Sequence, residues 1–254
     1  MKRHKESMDK ALKLSGDNSP LTEVIRYSLS SGGKRIRPML TLGFYDACKG
    51  SAPGEAGIIA LGAAIEMLHI STLIQDDLPC MDDDDERRGK PACHKQFSES
   101  DALLAASRMT YNALGMIAES GFGQTARIIK EICGYMALVY DGQKADLAVK
   151  DTKADKTQLQ EIYALKTCAL IQAACVAGVL AANADEDAVR NAHDYGYNLG
   201  MAFQLIDDIL DGEEYGGARE DAERYTQKAL ELLGGVPNNE FLTELTNDLL
   251  HRSI

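Results

Sequence analysis

The stretch Ile58-Ile59-Ala60-Leu61-Gly62-Ala63-Ala64-Ile65-Glu66-Met67-Leu68-His69-Ile70-Ser71-Thr72-Leu73-Ile74-Gln75 decides the fold. Its large apolar residues cover every face of a helix, so the spacing predicts a helix buried on all sides. It runs straight into Asp76-Asp77-Leu78-Pro79-Cys80-Met81-Asp82-Asp83-Asp84-Asp85-Glu86. A second helix, read over 195–211, is apolar all round through Leu199, Met201, Phe203, Leu205, Ile206, Ile209 and Leu210. It carries Asp207, Asp208 and Asp211 at its end and stops at Gly212. Further helices read over 21–29, 38–48, 102–118, 127–149, 156–181, 220–233 and 240–251. No strand-rich region or fixed-period repeat interrupts them. The expected class is all-α: a helical bundle in one domain over 1–254.

The chain carries 27 Lys and Arg against 39 Asp and Glu, a net charge of −12. That argues against a nucleic-acid partner, whose binding rests on neutralising phosphates. Hydrophobic residues make up 45%, enough for a real core. No uncharged apolar run approaches the ~20 residues of a spanning helix, so no membrane span is expected. The six cysteines form no Cys-x-x-Cys pair and no zinc spacing with the histidines. Reduced thiols in a cytoplasmic protein are the simplest reading. The start, Met1-Lys2-Arg3-His4-Lys5-Glu6, is polar and lacks an apolar signal core.

The acids sit where they cost most. Both clusters fall at expected helix C-termini, where the backbone dipole is already negative and each exposed carboxylate costs about 0.3–1 kcal/mol. Packed carboxylates repel further. A chain that carries this twice is expected to bring cations to the sites. Carboxylate oxygen is the hard donor Mg²⁺ takes, typically one or two carboxylates plus substrate phosphates. Asp76 and Asp82 would point roughly 240° apart on a continuous helix. They meet only if the helix breaks, and Pro79 gives a reason for a break. Asp83–Glu86 read equally well as a solvated acidic loop.

Basic residues complement the acids. Gly32-Gly33-Lys34-Arg35-Ile36-Arg37-Pro38 puts three cations on a turn whose glycines let a ligand approach the backbone. Arg87-Arg88-Gly89-Lys90 follows the first acid cluster. Arg offers phosphate a planar fork and Lys a point charge. The pattern points to a small-anion site with metal, and no nucleotide-binding glycine loop is present.

Taken with Gly142-Gln143, Lys166-Thr167 and Phe203-Gln204-Leu205-Ile206-Asp207-Asp208-Ile209-Leu210-Asp211, these motifs resemble the trans-isoprenyl diphosphate synthase (polyprenyl synthetase) family. Five motifs recur in order over about residues 20–211, and the tail matches only as helix. The resemblance implies a helical bundle around a deep apolar cavity, in a homodimer. It implies a prenyltransferase that joins isopentenyl diphosphate to an allylic diphosphate. Asp76 and Asp82 would hold two Mg²⁺ and Asp207 a third, with Asp77 and Asp208 in support. Arg87, Lys166 and Gln204 would face the allylic diphosphate, with Thr167 beside them. Gly33, Lys34, Arg37, His69 and Arg88 would take isopentenyl diphosphate. The spacer between Asp77 and Asp82 is that of short-chain enzymes. The fifth position before the first Asp motif, Ser71, and its neighbour Thr72 are small, which favours geranylgeranyl over farnesyl diphosphate as product.

Two departures from the family pattern stand out. Glu99-Ser100 leads at once into Asp101-Ala102-Leu103-Leu104, without the usual leucine-alanine-glycine step. Asp211-Gly212-Glu213-Glu214-Tyr215 leads almost directly into the next helix, where relatives carry a long polar loop with a lysine. Both read as mobile loop residues omitted from the sequence rather than deleted. The competing functions are a noncatalytic prenyl-diphosphate-binding subunit and a terpene cyclase. The intact Asp motifs argue against the first, and the basic turn for a second diphosphate argues against the second.

Overall fold

The computed structural model describes residues 12, 19–48, 54–150, 152 and 154–250. They divide into two compact units, one from residues up to 39 and from 54–125, the other from 40–48 and from 126 onward. Both are helical. Among the described residues the only strands are a two-residue antiparallel pair.

In the first unit, α1 (Thr22–Leu29) leads through the basic turn into the start of α2 (Ile36–Ala47). The long helix α3 (Glu55–Asp76) is the core: Leu61, Ala63, Ala64, Ile65, Met67 and Leu68 have no exposed surface. This bears out the all-round apolar reading. Strands β1 (Glu86–Arg87) and β2 (Lys90–Pro91) form a hairpin. Its turn residues Arg88 and Gly89 both have positive φ, the combination a type I′ turn needs. The short helix α4 (Cys93–Gln96) precedes α5 (Glu99–Ala118). Helix α5 packs on α3, and four of its six buried residues are alanines, Ala102, Ala105, Ala106 and Ala113, beside Met109 and Ile117. The Ser98 hydroxyl accepts the Asp101 amide at 3.0 Å and caps α5.

The second unit contains the rest of α2, then α6 (Thr125–Val149), α7 (Lys156–Ile162), α8 (Ala169–Ala181), α9 (Glu186–Asp211), α10 (Ala218–Leu233) and α11 (Glu240–Leu250). Every residue of α8 is buried. The stretch 156–181, expected as one helix, is broken by a π-helical segment at Tyr163–Cys168. Its wider i→i+5 turns leave the same helix-like composition in the sequence, so the break was not legible there. Helix α9 is less apolar than expected near its end: Leu210 is 42% exposed and Phe203 half-buried.

Two helices reach membrane-spanning length by composition, Glu55–Asp76 and Lys156–Ala181, which corrects the expectation that none would. A mean over 18 residues tolerates Glu66 or Lys166, whereas a search for uncharged runs does not. The share of each window buried inside the protein is 72% and 78%. Both are core helices here. All six cysteines are free thiols.

Candidate active site

In the first unit α3 ends at Asp76, and the chain folds back over Pro79. The Met81 amide donates to the Leu78 carbonyl at 2.8 Å, and the Asp82 amide donates to the Asp76 carbonyl at 2.8 Å. The expected break therefore brings Asp76 and Asp82 onto one turn, both half-buried. Asp77 points the other way and is 2% exposed. Its Oδ1 takes both Nε of Arg87, at 2.8 Å, and Nη2 of the same residue. That Nη2 also bonds Asp84 at 2.7 Å. Burial pushes the Asp77 carboxyl up, and the Arg87 guanidinium opposes that shift. Arg87, expected to face a diphosphate, commits two nitrogens to clamping Asp77. Asp83, Asp85 and Glu86 are exposed, as the solvated-loop reading expects, with Asp85 on Lys95 at 2.7 Å.

The basic turn lies in the same unit. The hairpin docks on the loop after α1: Tyr27 Oη donates to the Pro91 carbonyl at 2.7 Å, and Arg88 Nη1 donates to the Gly32 carbonyl at 2.5 Å. Gly33 has φ +120°, and a Cβ there would lie 2.7 Å from Arg88 Nη1, so only glycine lets the guanidinium settle on the turn. Arg37 Nη1 donates to His69 Nε2 at 3.2 Å, since a guanidinium cannot accept. Burial, then Arg37, Arg88, Arg35 and Arg87, hold the His69 ring well below the usual imidazole range. His69 is thus neutral, and its other nitrogen carries the proton. Lys34 is exposed at the edge of the turn. Arg35 turns inward instead, to Glu66 Oε1 at 2.8 Å and the Leu29 carbonyl at 3.0 Å. Sequence reasoning missed Glu66. A lone acid inside an apolar helix was the available signal.

Ser71 has no exposed surface; its hydroxyl donates to the Leu68 carbonyl at 2.7 Å and accepts from Thr110 of α5 at 3.4 Å. Thr72 bonds the His69 carbonyl at 2.8 Å.

In the second unit the π segment carries Lys166 and Thr167. Lys166 Nζ bonds Asp146 of α6 at 2.5 Å. Thr167 Oγ1 donates to Gln204 Oε1 at 2.9 Å, and Gln204 Nε2 donates to Asp208 Oδ1 at 2.9 Å. Asp208 Oδ2 accepts from Tyr163 Oη. Asp207 is half-buried on the same helix end. Asp208 thus has a donor on each oxygen and Asp77 has Oδ1 held by Arg87. Asp146 and Tyr163 were not singled out in the sequence, because each looks like an ordinary helix residue. Gly142 explains the close fit: a Cβ there would lie 2.4 Å from the Lys166 amide nitrogen. Gly142→Ala is expected to destabilise the protein by about 1–3 kcal/mol through overpacking, read as a lower urea midpoint.

The turn after Asp211 is short and closed by its own bonds. Gly212 adopts the left-handed conformation, and the Glu213 amide donates to the Asp208 carbonyl at 2.8 Å. Tyr215 Oη donates to Asp221 at 2.8 Å, which Lys156 also holds at 2.6 Å. In this sequence the connection from Asp211 to α10 carries no lysine.

Among the described residues no three Asp, Glu, His or Cys side chains converge as a metal cage. Paired hard carboxylates without a cage suit Mg²⁺, which completes its shell with waters and substrate phosphate oxygens. Asp76 with Asp82, and Asp207 supported by Asp208, fit that donor set.

The Polyprenyl synthetase family matches residues 18–218. Geranylgeranyl pyrophosphate synthase 11 of Arabidopsis thaliana is 39% identical over 228 residues, 84% of this chain and 63% of that protein. Farnesyl diphosphate synthase of Bacillus subtilis is 36% identical over 201 residues, 76% of this chain and 67% of that protein. The crystal structure of geranyltransferase from Legionella pneumophila superposes with a TM-score of 0.86 at 31% identity, covering 99% of this chain and 94% of that one. The chain thus spans just under two thirds of the length of the Arabidopsis relative. With the match running from before the basic turn to past the second Asp motif, this chain belongs to the polyprenyl synthetase family.

Proposed function

We propose that the chain is a short-chain trans-prenyltransferase that condenses isopentenyl diphosphate with an allylic diphosphate and releases diphosphate. One observation carries this reading. In a chain of net charge −12, Arg88 is seated on the Gly32-Gly33 turn beside the Arg37–His69 pair, in the same unit as the Asp76–Asp82 turn. Such a cluster would take one diphosphate while the carboxylate turn takes the metal of the other, which suits two diphosphate substrates.

Asp76, Asp82 and Asp207 would hold the metal, in three ions by family resemblance. Bound Mg²⁺ supplies positive charge that stabilises the departing diphosphate. Lys166 and Gln204 would orient the allylic diphosphate, with Thr167 holding Gln204. Lys34, Arg37 and Arg88 would bind the isopentenyl diphosphate, and neutral His69 would hold Arg37 in place. The allylic C–O bond breaks with its electrons going to diphosphate. The homoallylic double bond then forms the new C–C bond, and a proton leaves, with diphosphate as its acceptor. Apolar helix surface keeps water from capturing the cation.

The small buried Ser71 favours geranylgeranyl diphosphate as product, with farnesyl diphosphate as the alternative. A homodimer is supported by an apolar strip on α5, where Leu103, Leu104 and Tyr111 are exposed and Tyr111 is 74% accessible. Six free cysteines support a cytoplasmic setting, and one polyprenyl synthetase domain over both units is the simplest organisation. The noncatalytic subunit is the second reading, favoured by the short lysine-free turn after Asp211. One experiment separates these readings. Purified protein given isopentenyl diphosphate, farnesyl diphosphate and Mg²⁺ is expected to yield geranylgeranyl diphosphate. Farnesyl diphosphate accumulating from shorter starters without further elongation would reverse the product order. A cyclic hydrocarbon would make it a cyclase, and no product at all would leave the binding subunit.

A further inference from the structure

The mechanism above gives Tyr163 no part, yet the structure ties it to the second Asp motif. It is 8% exposed and opens the π segment that carries Lys166 and Thr167. Local π turns occur often at functional sites. Its hydroxyl donates to Asp208 Oδ2. The other oxygen, Oδ1, accepts from Gln204 Nε2 at 2.9 Å, and Gln204 is in turn held by Thr167 at 2.9 Å. The π segment is therefore sewn to α9 at two points, Tyr163 through Asp208 and Thr167 through Gln204. A carboxylate with a donor on each oxygen is fixed in plane and direction. Removing either donor frees it to rotate. Outer partners that orient a carboxylate next to a metal commonly change metal affinity or activity by about 10–100-fold.

We propose that Tyr163 is a positioning residue for the second acidic pair: its hydroxyl fixes Asp208 so that the Asp207–Asp208 end of α9 is preorganised for magnesium diphosphate. This rests on the reading of the site as a metal–diphosphate site. The sequence resemblance does not single Tyr163 out, and no other hydrogen bond to Oδ2 is described.

The test is calorimetric titration of inorganic pyrophosphate with Mg²⁺ into the full chain, with turnover measured against Mg²⁺ concentration in parallel. Tyr163→Phe keeps the ring and removes only the donor. It is expected to weaken magnesium pyrophosphate binding about tenfold and to raise the half-saturating Mg²⁺ by the same factor. At saturating Mg²⁺, kcat should stay within about threefold of the parent. Tyr163→His, a ring that keeps an N–H donor, should recover part of the binding, and it also serves if the Phe variant does not fold. The decisive readout is the cycle with Asp208→Ala, which leaves no acceptor at that position. If Tyr163 acts only through Asp208, adding Tyr163→Phe to Asp208→Ala weakens binding no further. Unchanged binding in Tyr163→Phe, or penalties that multiply in the double variant, overturns the proposal. A parent protein that binds no magnesium pyrophosphate overturns the underlying reading instead, because the baseline itself is then missing.

Discussion

Asp76→Ala is expected to lower kcat/KM for chain elongation by about a thousandfold or more, the scale of losing a principal charge-stabilising group. Asp76 and Asp82 meet on one turn because the Asp82 amide closes onto the Asp76 carbonyl. On the proposed reading, Asp82 alone would then hold the metal on that side. The fold should not suffer. Asp76 is half-buried at the C-terminus of α3, where a negative side chain opposes the helix dipole. Without Mg²⁺ the variant should therefore melt at the same temperature as the parent or slightly above it, a gain of about 0.3–1 kcal/mol. Loss of activity with an unchanged helical circular dichroism spectrum and a level or raised Tm is a combination that general misfolding does not produce. Turnover retained in this variant removes Asp76 from the metal role.

Glu66→Ala should give the largest loss of stability among single substitutions near the site. Glu66 is 2% exposed and Arg35 is 5% exposed, and they are bonded at 2.8 Å. Truncating the acid takes the bonded carboxylate from a buried guanidinium, whose Nη2 donates to the Leu29 carbonyl at 3.0 Å. Breaking one side of a buried pair typically costs about 3–5 kcal/mol. Arg35 also has a positive φ of 55°, a conformation a residue with a Cβ holds only when its surroundings insist. Loss of the pair should therefore loosen the turn that carries Lys34 and Arg37, raising KM for isopentenyl diphosphate more than it changes kcat. Urea denaturation and steady-state kinetics on the same preparation check both effects. Glu66→Gln, which keeps an acceptor without the charge, should fall between parent and Ala variant. A midpoint unmoved by Glu66→Ala would show that the pair contributes nothing to the turn.

These two residues also mark how far the sequence could be read. Asp76 announced itself, because an acid run at the tip of an all-apolar helix is unusual and Pro79 supplied the reason for the turn. Glu66 did not. Its partner lies 31 positions away, and nothing local to either residue names the other. The same holds for Lys166 with Asp146, 20 apart, and Tyr163 with Asp208, 45 apart. Arg87 was legible as a cation beside the acids, but its commitment to Asp77 was not.

The sequence by itself determined the all-helical class, the core helix over 55–76 and the acidic and basic motifs, because periodicity and local breakers act within a few residues of chain. Tertiary structure alone decided which oxygens are already occupied, which arginine faces inward and where the helix 156–181 widens into a π turn. Those outcomes depend on which side chains meet across separate helices, and on how tightly a glycine such as Gly142 lets them approach. Burial makes each such meeting worth several times its value in water, so the fold settles them and the local sequence does not.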